Sequence, residues 1–92
     1  SASTLEDANR CVTRPAVGPN TNCQRGIAAA VSNQCPQPVD IRLCTKTVAG
    51  WDCGVVYGLD PGRSWSQAWC EGTPDVFMDA RSSASNRPLA RP

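Results

Sequence analysis

Six cysteines in a chain of 92 residues limit its fold more than any other feature. They stand at Cys11, Cys23, Cys35, Cys44, Cys53 and Cys70. No two of them form a Cys-x-x-Cys pair and the chain has no histidine, so the residue set of a structural zinc site is missing. We therefore predict three disulfides, no metal and no cofactor. Each bridge would add about 2–4 kcal/mol to the stability of a small core.

Disulfides persist outside the cytoplasm, so the predicted localisation is secreted or periplasmic. The first residues, Ser1-Ala2-Ser3-Thr4, lack the basic and apolar parts of a signal peptide, which we interpret as the start of a mature or trimmed chain. No apolar run is long enough for a membrane span. The net charge of +1 is dispersed, so neither nucleic acid nor an anionic membrane is predicted as a partner.

Local patterns predict a mainly β protein. Strands are predicted over residues 27–31, 39–43, 52–57, 64–70 and 75–80, where alternating or β-branched residues lie between turn signals. A Ser-x-x-Glu pattern predicts a short helix within residues 1–12. The two prolines of residues 13–22 predict a loop. The predicted fold is one antiparallel meander over residues 1–81, forming a small sandwich or a partly closed barrel, with a flexible tail over residues 82–92.

Hairpin geometry constrains the pairing of the cysteines. A turn midway between Thr45 and Asp52 places Cys44 opposite Cys53. The turn at Pro61-Gly62 places Cys53 opposite Cys70 equally well, so the pairing stays open. We favour Cys44–Cys53, with Cys35–Cys70 and Cys11–Cys23, among the fifteen pairings that six cysteines allow.

Two groups of proteins resemble parts of the chain. The run Asn-Gln-Cys-Pro-Gln-Pro-Val-Asp-Ile-Arg-Leu-Cys over residues 33–44, with Cys53-Gly54 and the Pro61-Gly62 turn, resembles small exported bacterial cysteine-rich domains without an assigned activity. The cysteine before an alternating strand and the Pro-Gly turn are also similar to tendamistat-type α-amylase inhibitors, which are two-disulfide β-sandwiches. Those inhibitors act through a Trp-Arg-Tyr triplet that this chain lacks, so the likeness implies architecture and no site.

The residue types argue against catalysis. Without histidine, the usual base beside a nucleophilic serine or cysteine is absent, and no pair of carboxylates is placed for glycoside cleavage. We predict that the chain is not an enzyme. Asp40, Asp75 and Asp79 lack the oxygen-rich loop that calcium favours, so we interpret them as solvated residues.

The tryptophans give the most specific functional hypothesis. Trp65 and Trp69 share a strand face about 13 Å apart, at about 3.3 Å per residue, and Trp51 would extend the patch. If exposed, they would bind a glycan or an envelope protein. The alternative is that they form the core. A second functional hypothesis is an inhibitor or structural accessory protein of an extracellular hydrolase that presents a rigid loop.

Overall fold

The computed structural model describes residues 8–92 and contains six β-strands within them. The strands are β1 (Ala16–Asn20), β2 (Gly26–Ser32), β3 (Val39–Thr47), β4 (Gly50–Leu59), β5 (Ser64–Trp69) and β6 (Val76–Ser82). No helix occurs in this part of the chain. Residues 9–11 form a turn and Val12 makes an isolated bridge to Asn33, so the predicted helix is not found over residues 8–12. The rest of that prediction falls on residues 1–7, outside the described residues.

The strands form two three-stranded antiparallel sheets. Their orders are β1-β2-β5 and β4-β3-β6. The prediction of a mainly β domain is confirmed, but the meander is wrong, because β4 and β5 are consecutive strands that belong to different sheets. The sheets also remain separate, so the sandwich alternative holds and the partly closed barrel does not form.

Strand β1 corrects the predicted loop over residues 13–22. Residues Ala16–Asn20 pair with β2, and Pro19 lies opposite Ile27. Proline cannot donate a hydrogen bond, but β1 is an edge strand with only one neighbour, so it needs no donor on its outer side. Pro15 precedes β1 and Pro19 lies within it, and an edge strand tolerates the missing donor of Pro19.

The core lies between the two sheets. Val39, Ile41 and Leu43 of β3 are completely buried, as their alternation in the sequence predicts. From the other sheet, Ala29 and Val31 of β2 are buried with them in one apolar cluster. Because β3 is the central strand of its sheet, its inward face is the middle of this core.

All six cysteines form disulfides. Cys44 pairs with Cys53, as favoured from the hairpin register. The other two favoured pairs are wrong: Cys11 pairs with Cys35, and Cys23 pairs with Cys70. The physical reason is the sandwich topology. The β1–β2 turn lies at the same end of its sheet as the end of β5, since Ile27 is opposite Trp69, so Cys23 meets Cys70 there.

The segment after β6 (residues 83–92), where the sequence predicts a flexible tail, lies against the outer face of β3 and β6. The Arg42 guanidinium donates hydrogen bonds of 2.9 and 3.1 Å to the carbonyls of Leu89 and Ala90. Leu89 is buried, and the Ala90 amide donates a 2.7 Å hydrogen bond to Asp79. This segment therefore forms one border of the outer face of the β4-β3-β6 sheet.

Candidate functional site

The structure separates the three tryptophans that the sequence predicts as one surface. Trp65 and Trp69 do share a strand face, but it is the inner face of β5. Trp69 is only 6% exposed and belongs to the core, and Trp65 is partly buried and packs against it. Both residues therefore belong to the core or pack against it, as the alternative interpretation proposed, and they form no exposed platform.

Trp51 lies on the other sheet and on its outer face. The register of β3 and β4 explains its direction. Leu43 points into the core, so the next residue, Cys44, points outward, and its partner Cys53 does the same. Trp51 is two residues from Cys53 and therefore lies on the same outer face, where 36% of its surface is exposed.

This outer face carries an apolar row, here named the β4 stripe. It consists of Trp51, Cys53, Val55 and Tyr57. At about 3.3 Å per residue the row is about 20 Å long. Tyr57 is 67% exposed. Edge strands usually carry charges or proline, which discourage contacts with other chains, but none of these four residues is charged.

The sequence contains a signal for the β4 stripe that simple alternation misses. On β4 the more apolar set of alternating residues, which is the β4 stripe, faces outward. Asp52, Gly54 and Val56 face the other side. From alternation alone, the more apolar set would be predicted to face the core. The disulfide gives the opposite orientation: Leu43 of β3 points inward, so its neighbour Cys44 points outward, and Cys53, which is bonded to Cys44, must lie on the outer face too.

The indole ring of Trp51 is held by two neighbours. The Lys46 ammonium lies 5.2 Å from the ring centroid, which is a cation–π distance. Phe77 of β6 packs against the ring edge to face, with centroids 6.5 Å apart. The ring therefore has a fixed position over the centre of the sheet, and part of its surface is already covered.

A pocket of about 420 Å³ opens beside this ring. Its lining residues are Arg42, Trp51, Cys53, Val55, Arg91 and Pro92. Three of them belong to the β4 stripe, two are arginines, and two come from the segment after β6. The pocket therefore combines an apolar floor with positively charged walls, and its volume suits a large side chain or a small ligand.

Two buried carboxylates hold the border of this face. Asp79 accepts hydrogen bonds from Asn9 at 2.9 Å, from Ala90 at 2.7 Å and from both terminal nitrogens of Arg87. Burial on its own would raise the pKa of Asp79, but the hydrogen bonds from Arg87, Ala90 and Asn9 outweigh it and hold the pKa below the ordinary value.

Asp40 has a similar environment one strand away. Burial would raise the pKa of Asp40, but hydrogen bonds from the Gly58 amide, the Ser83 hydroxyl and the Arg81 guanidinium lower it. The lowered pKa values keep both carboxylates charged, and their oxygens are occupied by donors. This arrangement suits a structural role rather than proton transfer.

Neither a metal centre nor a membrane helix is found among residues 8–92. No group of three or more His, Cys, Asp or Glu side chains in that range is arranged to hold a metal ion. Likewise, no helix in this range has the length and apolar character that crossing a bilayer requires. Comparisons with protein-family models, with curated proteins and with solved structures return no match.

Proposed function

We propose that this chain is a non-enzymatic, exported binding module that recognises a protein partner through the β4 stripe. One observation carries the proposal. Of the four large hydrophobic residues exposed in the described part of the chain, Val48, Trp51 and Tyr57 lie on the β3–β4 hairpin, and Val17 alone lies elsewhere. Exposed apolar groups concentrated on one element mark an interaction surface, whereas scattered ones do not.

The environment of Trp51 favours a protein over a glycan. Stacking of a sugar needs an open aromatic face, but Lys46 lies over the ring of Trp51 and Phe77 packs against it. A partner protein needs no open face, because it can fill the neighbouring pocket and contact the ring edge and Tyr57. The glycan hypothesis made from the sequence therefore becomes the less favoured one.

The disulfides support export, and the surroundings of the buried carboxylates support a lack of catalysis. Three disulfides are typical of proteins in oxidising compartments, and we propose that this one is secreted or periplasmic. The chain has no histidine, and the buried Asp40 and Asp79 are engaged by hydrogen bonds with lowered pKa values. Neither carboxylate is poised near neutrality as an acid or base would be.

The experiment compares capture by three immobilised proteins: the wild type, Tyr57→Ala and Val17→Ala. Each is exposed to the exported protein fraction of the source organism and to a panel of glycans. Tyr57 and Val17 are both exposed and apolar, but they lie on different sheets, so Val17→Ala is a matched control. We expect a protein that the wild type and Val17→Ala retain and Tyr57→Ala loses. Equal retention by all three, or retention of glycans alone, would contradict the proposal.

A second candidate, an inhibitor of an extracellular hydrolase, is favoured by the tip of the same hairpin. Val48 is fully exposed there. The Thr47 hydroxyl donates a 2.7 Å hydrogen bond to the Gly50 carbonyl and accepts one from the Ala49 amide, and the Cys44–Cys53 bridge closes the hairpin nearby. A rigid exposed tip of this kind loses little entropy on entering an active-site cleft.

The inhibitor hypothesis is tested with a panel of extracellular proteases and glycosidases. We expect one enzyme to be inhibited by the wild type and by Val17→Asp but not by Val48→Asp. A panel that remains uninhibited by the wild type would rule this candidate out.

A further inference from the structure

The charges around the β4 stripe are unbalanced. On β3 and β6 the outward carboxylates are Asp40 and Asp79, and each already has an arginine partner. Arg81 lies 3.0 Å from Asp40, and Arg87 lies 2.9 Å from Asp79. These are the ion pairs found among residues 8–92. One further carboxylate borders this face, the exposed Asp75 just before β6, whose carbonyl accepts a 3.1 Å hydrogen bond from the Lys46 amide. Its side chain forms no ion pair in the described part of the chain, so the cations around the stripe outnumber the carboxylates that remain.

Three further cations border the β4 stripe. Arg42 and Arg91 line the pocket, and Lys46 lies over Trp51. In the described part of the chain, none of the three has a carboxylate oxygen within the 4.0 Å of an ion pair. Arg42 directs one terminal nitrogen to the carbonyls of Leu89 and Ala90, which are neutral groups and do not cancel its charge.

An occupant of this surface therefore needs two properties. Its apolar part must fill the space beside Trp51 and Val55, since burying a polar group there without a partner is costly. Its charge must be negative, because an interface with three cations favours a partner of complementary potential. The net charge of the whole chain is only +1, so long-range attraction to a polyanion such as nucleic acid is weak, and a short acidic protein segment fits better.

We infer that the partner binds through an acidic segment that carries a large apolar side chain. The apolar side chain enters the pocket beside Trp51 and Val55, and the flanking carboxylates contact Arg42, Lys46 and Arg91. This inference rests on the proposed function, because it names the chemistry of the partner that the β4 stripe would bind.

The test uses the oxidised 92-residue chain, labelled with nitrogen-15, and synthetic peptides with a central leucine. The peptides differ only in their flanks, which are glutamates, glutamines or lysines. We expect the glutamate peptide to shift the amide signals of Trp51 and Val55 and to bind at least about tenfold more tightly than the glutamine peptide, by charge complementarity. Added salt should weaken it, since these charges are near the solvent.

Charge-reversing variants then locate the contact. Lys46→Glu and Arg91→Glu should each weaken the glutamate peptide by about three- to tenfold, the range for reversing one solvent-accessible charge. The matched control is Arg14→Glu, an exposed charge that precedes β1 in the other sheet, and it should leave the affinity unchanged.

Each outcome separates the inference from the proposed function. Equal binding of the glutamate and glutamine peptides at the β4 stripe would overturn the acidic partner and leave the binding surface intact. Tighter binding of the lysine peptide would do the same. Signal shifts confined to other regions, or no shifts with any peptide, would overturn the inference, while the capture experiment with Tyr57→Ala would still decide the proposed function.

Discussion

Arg42 and Asp79 lie opposite each other on β3 and β6, and both bind the main chain of the segment after β6. Arg42 donates to the carbonyls of Leu89 and Ala90, and Asp79 accepts from the amide of Ala90. The two side chains therefore bind the peptide group between Leu89 and Ala90 from opposite sides. Because Arg91 and Pro92 follow this peptide group directly and line the pocket, these hydrogen bonds also position one wall of the candidate site.

The first prediction concerns Asp79→Ala. The substitution removes the buried acceptor of Asn9, Arg87 and Ala90 and ends the ion pair with the partly exposed Arg87. We expect the free energy of unfolding to fall by about 2–4 kcal/mol, near the cost of breaking a buried ion pair. Urea denaturation followed by circular dichroism measures it. Glu71→Gln, at an exposed position, is the control and should change stability by less than about 0.5 kcal/mol.

The second prediction concerns acid. The folded-state pKa values of Asp40 and Asp79 lie below the ordinary 3.8, so between the two values the unfolded chain binds more protons than the folded chain. The stabilisation is therefore complete above the unfolded-state pKa and is lost as the pH falls through the folded-state values. Urea unfolding at successive pH values should show this loss below about pH 5.

The control for the acid prediction is Asp40→Asn combined with Asp79→Asn. Neither asparagine titrates, so the stability of this variant should be lower near neutrality and should depend less on pH over the same range. An unchanged acid dependence in the variant would show that other carboxylates cause it.

Many of the strands can be predicted from local sequence patterns, but the assignment of strands to sheets and the pairing of distant cysteines cannot. The alternation of Val39, Ile41 and Leu43 predicts β3, and the same alternation fixes which face of the strand is buried. The register that joins Cys44 to Cys53 is also local, since it depends on one turn. The partner of Cys23 depends instead on which sheet receives β5, and no nearby residue determines that choice.

The sequence predicts a site made of three tryptophans, and only Trp51 lies on the outer face that we propose as the site. Trp65 and Trp69 pack inward, because a chain with few large side chains uses these two on the inner face of its second sheet. Their spacing predicts a shared face but not whether that face is inner or outer. Arg42 and Arg91 were missed, since they meet only when the segment after β6 folds onto β3.

The third prediction compares two disulfides of different span. Cys23 and Cys70 are 47 residues apart, and Cys44 and Cys53 are nine apart. In the chain-entropy model the longer loop contributes about 4 kcal/mol and the shorter about 2.5 kcal/mol. We therefore expect Cys23→Ala with Cys70→Ala to destabilise the protein more than Cys44→Ala with Cys53→Ala. Urea unfolding of both double variants provides the comparison, and the reverse order would show that native packing around Cys44 matters more than loop length.

The fourth prediction separates the tryptophans by position. Trp69→Ala leaves a cavity in the core and should cost about 3–5 kcal/mol of unfolding free energy. Trp51→Ala removes surface contacts, among them those with Lys46 and Phe77, and leaves no closed cavity, so it should cost less, about 1–2 kcal/mol. Circular dichroism follows the unfolding, because the substitutions remove the fluorophore itself.

Trp65→Ala is the decisive case. Because Trp65 packs against the core, its removal should lower the free energy of unfolding by about 2–3 kcal/mol. A platform residue exposed to solvent would leave the free energy of unfolding almost unchanged. A Trp65→Ala protein as stable as the wild type would contradict the inward position of Trp65 and would make the aromatic surface predicted on β5 a rival to the β4 stripe.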